Sequence, residues 1–80
     1  MERQEIVTKL TEIFRSVFGN ENLVLEDSMT PDSVDNWVSL THMQMTNEVQ
    51  EAFGIKFGIK DQTKLMRVGD IIGLIEEKLK

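Results

Sequence analysis

Asp35-Asn36-Trp37-Val38-Ser39-Leu40-Thr41-His42 is the stretch on which the reading of this chain turns. Before it lies a polar, acidic segment rich in turn formers; after it, apolar residues return at helical spacing. The junction predicts a helix start at Ser39, with an exposed hydroxyl at the helix N-terminus. A serine so placed either caps the helix, accepting a backbone N–H for about 1 kcal/mol, or serves as a point of attachment.

Working outward, Leu40, Met43, Val49, Ala52 and Phe53 form one apolar face with Met45 near its border, and Gly54 stops it. This predicts a helix over about 39–53. Upstream, Ile6, Val7, Leu10, Ile13, Phe14, Val17 and Phe18 predict a first helix over about 2–18, ended by Gly19-Asn20. Residues 19–38 have no sustained period. Leu23 and Leu25 are expected to pack inward, while Asp27-Ser28, Thr30-Pro31-Asp32 and Asp35-Asn36 form turns. At about twenty residues this loop exceeds the usual connection, and loops of that length tend to be functional.

Downstream, Ile55 and Phe57 form a short extended link, and Asp61 is placed to cap a brief helix over about 61–66. Val68, Ile71, Ile72, Leu74, Ile75 and Leu79 predict a last helix over about 68–79. Gly69 and Gly73 each weaken it by roughly 1 kcal/mol relative to alanine. Met43, Met45 and Met66 read as core filler. Three amphipathic helices must bury one another. The expected fold is all-α, a small antiparallel bundle of three main helices plus one short helix, with the long loop between the first two.

Eighty residues suffice for one small domain, 1–80, with a limited core. There is no cysteine, which excludes disulfides and thiolate chemistry and suits a cytoplasmic setting. The charged N-terminus is unlike a secretory signal, and no apolar run is long enough to span a membrane. Net charge is −5 and the pI about 4.7, which argues against nucleic acid as a partner. Seven of the fourteen acids (Glu21, Glu26, Asp27, Asp32, Asp35, Glu48, Glu51) lie between Arg15 and Lys56, a stretch without any lysine or arginine. Such a one-signed surface steers basic partners.

Ser39 and His42 are three residues apart on the predicted helix. A hydrolase would also need an orienting carboxylate, an oxyanion hole and a pocket, and there is no G-x-S-x-G turn. His42 is expected to be an exposed neighbour of the serine. The acids do not fit a calcium loop, a single histidine excludes the usual zinc sets, and no phosphate-binding loop is present. No metal site and no catalytic residue of the chain's own are expected. A phosphodiester on Ser39, by contrast, would sit where helix N–H groups and the macrodipole favour an anion.

Taken in order, these features resemble the acyl carrier protein family almost end to end. The long acidic loop leads to a serine opening the second helix, Phe53-Gly54-Ile55 follows it, and Val68-Gly69-Asp70-Ile71 opens the last helix. The resemblance implies that Ser39 carries 4′-phosphopantetheine, installed by a separate magnesium-dependent phosphopantetheinyl transferase, and that acyl or aminoacyl groups ride on it as thioesters. It also implies a cytoplasmic, monomeric protein that docks to acyl-loading and acyl-transfer enzymes with basic surfaces. Asp35, Leu40, Glu48 and Glu51 are the expected partner contacts.

Two positions depart from the family pattern. The family's Asp-Ser-Leu is here Val38-Ser39-Leu40, so the carboxylate that helps a priming enzyme engage is missing. Arg67 stands where a serine or threonine commonly caps the last helix. The first departure leaves an alternative open: a carrier-fold interaction module that is not modified. Trp37-x-Ser39-Leu40-Thr41-His42 looks more like a specialised stand-alone carrier than a fatty-acid one, with Trp37 anchoring the loop on the bundle.

Overall fold

A computed structural model describes residues 2–80 and contains, among them, helices and loops without strands. Helix α1 spans Arg3–Phe18, α2 spans Ser39–Phe53, a short 3₁₀ helix spans Ile59–Lys64, and α3 spans Val68–Lys78. Both long-helix stops come from left-handed glycines, Gly19 at φ 69° and Gly54 at φ 64°, a conformation that costs other residues steric strain. The N–H groups of Gly19 and Asn20 both reach Arg15 O, and those of Gly54 and Ile55 both reach Gln50 O.

The expected all-α antiparallel bundle is the fold found. Asn36, just before α2, donates to Phe18 O at the end of α1, while Lys9 Nζ sits 5.6 Å from the ring of Phe53 at the end of α2. The two helices therefore run in opposite directions. The core is built from Ile6, Leu10, Ile13, Phe14 and Phe18 of α1, Met45, Val49 and Phe53 of α2, and five aliphatic residues of α3, closed by Leu65. No polar or charged side chain is buried among the described residues.

Helix α2 gives the core only a narrow stripe at i, i+4, i+8. Leu40 and Met43, expected on its buried face, are instead 66% and 62% exposed. Ala52 is exposed too, and of the three methionines expected as filler only Met45 is buried. The reason is geometric: α2 packs on α1 along one row of side chains, and its first turn projects beyond the core.

The 3₁₀ helix also differs from expectation. It starts two residues earlier than 61, with Gly58 as its N-cap. Asp61 reaches back instead of forward, its carboxylate accepting the Gly58 N–H at 2.7 Å and pairing with Lys78 Nζ at 3.0 Å. That backbone hydrogen bond, with Lys78 next in weight, holds the Asp61 carboxyl below the usual carboxylate range. The pair staples this turn to the end of α3.

The long loop is fastened along its whole length. Leu23, Val34 and Trp37 are buried in the core, and Arg15 Nε donates to Leu23 O at 2.8 Å. Its middle closes onto the start of α3, where Val68 and Gly69 donate to Met29 O and Asp27 O at 2.9 and 3.0 Å. Arg67 supplies no side-chain cap. Its guanidinium instead donates to Asp27 O at 2.8 Å and pairs with Asp70 at 3.0 Å. Loop carbonyls thus satisfy helix N–H groups that a serine or threonine would otherwise cap.

This junction gives Gly69 a specific role. A Cβ there would lie 3.1 Å from the Asp27 carbonyl oxygen, a backbone atom that cannot move without disturbing the clamp. Gly73 has open space around it. Gly73→Ala is therefore expected to raise unfolding stability by about 0.5–1 kcal/mol through helix propensity. Gly69→Ala, measured in the same denaturant titration, should gain nothing or lose stability despite the identical change in propensity.

Candidate functional site

The site grows from Trp37. Its indole is buried, edge-on to Phe14 at 5.4 Å and tilted against Phe18 at 5.6 Å. That anchor holds the loop end against α1, and Asn36 before it takes the left-handed conformation at φ 70°. The chain then leaves the core at Val38 and enters α2.

Val38 is the N-cap residue of α2, in extended conformation, and a valine has no atom that can cap. Ser39 is the first helical residue, one position too late for that role, and its hydroxyl makes no hydrogen bond among the described residues. The cap reading of Ser39 is thereby corrected. Thr41 does the local work: its Oγ1 accepts the Val38 N–H at 2.9 Å and donates to the carbonyls of Asn36 and Val38. Ser39 is left exposed. The N–H groups of Ser39, Leu40 and Thr41 receive no side-chain cap, and no acid lies in the first turn. An anion carried on Ser39 Oγ would meet open N–H donors and the positive end of the helix dipole.

His42 is half-buried, not the exposed neighbour expected. Trp37 Nε1 donates to its Nδ1 at 2.9 Å, and the two rings lie edge to edge, their centroids 6.1 Å apart and their planes 15° from parallel. Burial lowers the His42 pKa from its ordinary value, so the imidazole is neutral near pH 7. With Nδ1 accepting from Trp37, the neutral ring keeps its hydrogen on Nε2. Neither nitrogen is then free to take a proton from Ser39, and no carboxylate among the described residues hydrogen-bonds to the ring.

Around Ser39 lies an open groove of about 410 Å³ lined by Pro31, Trp37, Val38, His42, Met43 and Met66. Pro31 and Met66 reach it from separate parts of the chain, a meeting that no local pattern announces. Val38 is 60% exposed at its edge. Asp35, Leu40, Glu48 and Glu51 are all exposed, and none of the three acids forms an ion pair among the described residues. Glu48 and Glu51 line a shallow cleft between α1 and α2, while Leu40 stands in the first turn beside Ser39. No cluster of side chains suited to a metal occurs among the described residues, and no helix there is long and apolar enough to cross a membrane.

The vacant cap makes a direct prediction. Val38→Asp adds an acceptor at the N-cap and a negative charge at the helix N-terminus, and should stabilise the fold by about 1 kcal/mol in urea denaturation. Val38→Ala, which removes the exposed valine without adding an acceptor, should show no such gain.

No family model matches the sequence. An acyl carrier protein from Thermotoga maritima is 32% identical over 78 residues, covering 96% of this chain and 95% of its own length. The solution structure of a holo acyl carrier protein from Geobacter metallireducens superposes with a TM-score of 0.85 at 35% identity, covering 92% of this chain and 85% of the other. With similarity of sequence and fold over nearly its whole length, this chain belongs to the acyl carrier protein family, whose members are carriers of acyl groups.

Proposed function

We propose that Ser39 is the attachment residue for 4′-phosphopantetheine, and that the chain tethers acyl or aminoacyl groups there as thioesters and delivers them to partner enzymes. The observation that supports this most is the state of the Ser39 hydroxyl: exposed, free of hydrogen bonds among the described residues, and at the first residue of a helix whose N–H groups lack a side-chain cap. A serine used for stability at this place would be bonded. The residues present fit the prosthetic group: the open N–H groups at the start of α2 would hold its phosphate, and Met43 and Met66 would offer apolar surface to the methyl groups of its stem.

Attachment forms a bond between Ser39 Oγ and the β-phosphorus of coenzyme A and breaks the phosphoanhydride, with adenosine 3′,5′-bisphosphate leaving. The proton of Ser39 goes to a base of the transferase, because His42 has no free lone pair in its Trp37-bonded form. The chain itself orients the hydroxyl outward and steers the enzymes. Asp35, Glu48 and Glu51 supply unpaired negative charge for basic docking surfaces, and Leu40 supplies an apolar knob at the helix start. On this reading the chain performs no catalysis of its own.

A second reading rests on Val38. Where the family has a carboxylate beside the serine, this protein presents an exposed valine, which suits an interaction module that is never primed. Incubation with coenzyme A, magnesium and a broad-specificity phosphopantetheinyl transferase, followed by intact-mass measurement, separates the two. The carrier reading expects a phosphopantetheine-sized gain that disappears in Ser39→Ala. A chain that takes no gain, while Val38→Asp does, is the interaction module.

A further inference from the structure

The groove bordered by Ser39 contains one other side chain able to donate freely, and its neighbour has already set its tautomer. His42 spends Nδ1 on the Trp37 indole N–H at 2.9 Å, which holds the two rings edge to edge and nearly coplanar. The hydrogen of the neutral ring is therefore on Nε2, which has no protein acceptor among the described residues. The rest of the lining, Pro31, Trp37, Val38, Met43 and Met66, is apolar, and His42 is the groove's only titratable group. No side-chain nitrogen or oxygen among the described residues is buried without a partner, so Nε2 is open to solvent and available to an acceptor that enters the groove.

Ser39 and His42 are three residues apart on α2 and both line the groove, so a group bonded to Ser39 Oγ begins on the same lining as that donor. We propose that His42 is the positioning residue of the tethered arm. Its Nε2–H donates to the phosphodiester on Ser39 and seats the root of the arm in the Trp37–Met43–Met66 groove. The inference rests on the attachment proposed above and extends it from the site of the bond to the path of the arm. The first carbons of pantetheine bear two methyl groups, which suit the thioether lining. Seating is also pH-dependent. A nearby phosphodiester favours the imidazolium, whereas burial opposes it, so priming should move the His42 titration upward from its position in the unprimed chain.

NMR on the unprimed and primed protein tests this. In the unprimed chain, two-bond proton–nitrogen correlations should show the Nε2–H tautomer; an Nδ1–H tautomer overturns the proposal. After mass measurement has established the arm, the His42 pKa should be higher than before priming. The phosphodiester ³¹P resonance should titrate with His42, and the pantetheine methyls should give NOEs to Trp37 and Met66. His42→Gln retains a donor and should keep the NOEs while losing the pH response, whereas His42→Leu should lose both. A primed chain whose ³¹P resonance ignores His42 and whose arm shows no NOE to the groove overturns the positioning role and leaves attachment standing. A chain that accepts no arm overturns both.

Discussion

The insertion of Trp37 between the loop and α1 is the contact on which the rest of the structure depends. One buried indole fills the space beside Phe14 and Phe18 and at the same time spends its N–H on His42. A tryptophan buried in this way brings a large apolar area out of water while still satisfying its single donor. Because the anchor lies two residues before Ser39, it sets both the direction in which α2 departs and the side from which the serine is approached. Without it, the last stretch of a long loop would be held to the bundle by Val34 and by the Asn36 hydrogen bond to Phe18 O.

A second constraint follows from the scarcity of caps. None of the three α-helices begins with a side-chain cap on its N–H groups. At α3 the need is met by tertiary structure, with Asp27 and Met29 carbonyls and the Arg67 guanidinium bringing loop and helix together. At α2 only Thr41 works locally, and it serves the chain before the helix. The uncapped end at α3 is thus closed by the loop, whereas the uncapped end at α2 opens to solvent. That contrast leaves the start of α2, unlike that of α3, open to an acceptor from outside, and it arises from packing as much as from composition.

The parts of the fold legible in the sequence are those decided within one or two turns. Apolar spacing placed the three main helices, Gly19 and Gly54 stopped the first two, and the position of Ser39 at the start of α2 followed from the change in pattern at Trp37-Val38. Trp37 itself was readable as an anchor, being the largest apolar side chain of the loop, just ahead of the predicted helix start. What was not legible depends on partners distant in sequence. Asp61 was expected to cap forward, but Lys78 and Gly58 draw its carboxylate back. Leu40 and Met43 share the period of the buried face but lie beyond the end of the core. His42 looked like surface because its partner, five residues earlier, meets it only once the loop has turned. Gly69 looked like a weak point in a helix until the Asp27 carbonyl, forty-two residues away in the chain, was found against it.

The functional reading uses both kinds of information. Family membership supplies the carrier role, and the local geometry explains how this particular chain, with valine in place of the usual aspartate, still holds its serine free and outward. The claim beneath all of this is that Trp37 is locked in place, with its N–H committed to His42. Native-state hydrogen exchange of the Trp37 indole N–H tests it most directly. The account expects protection comparable to that of the α1 core amides. An indole that exchanges at nearly the unprotected rate while α1 stays protected would contradict it, because the loop end, and with it the placement of Ser39, would then not be fixed by this contact.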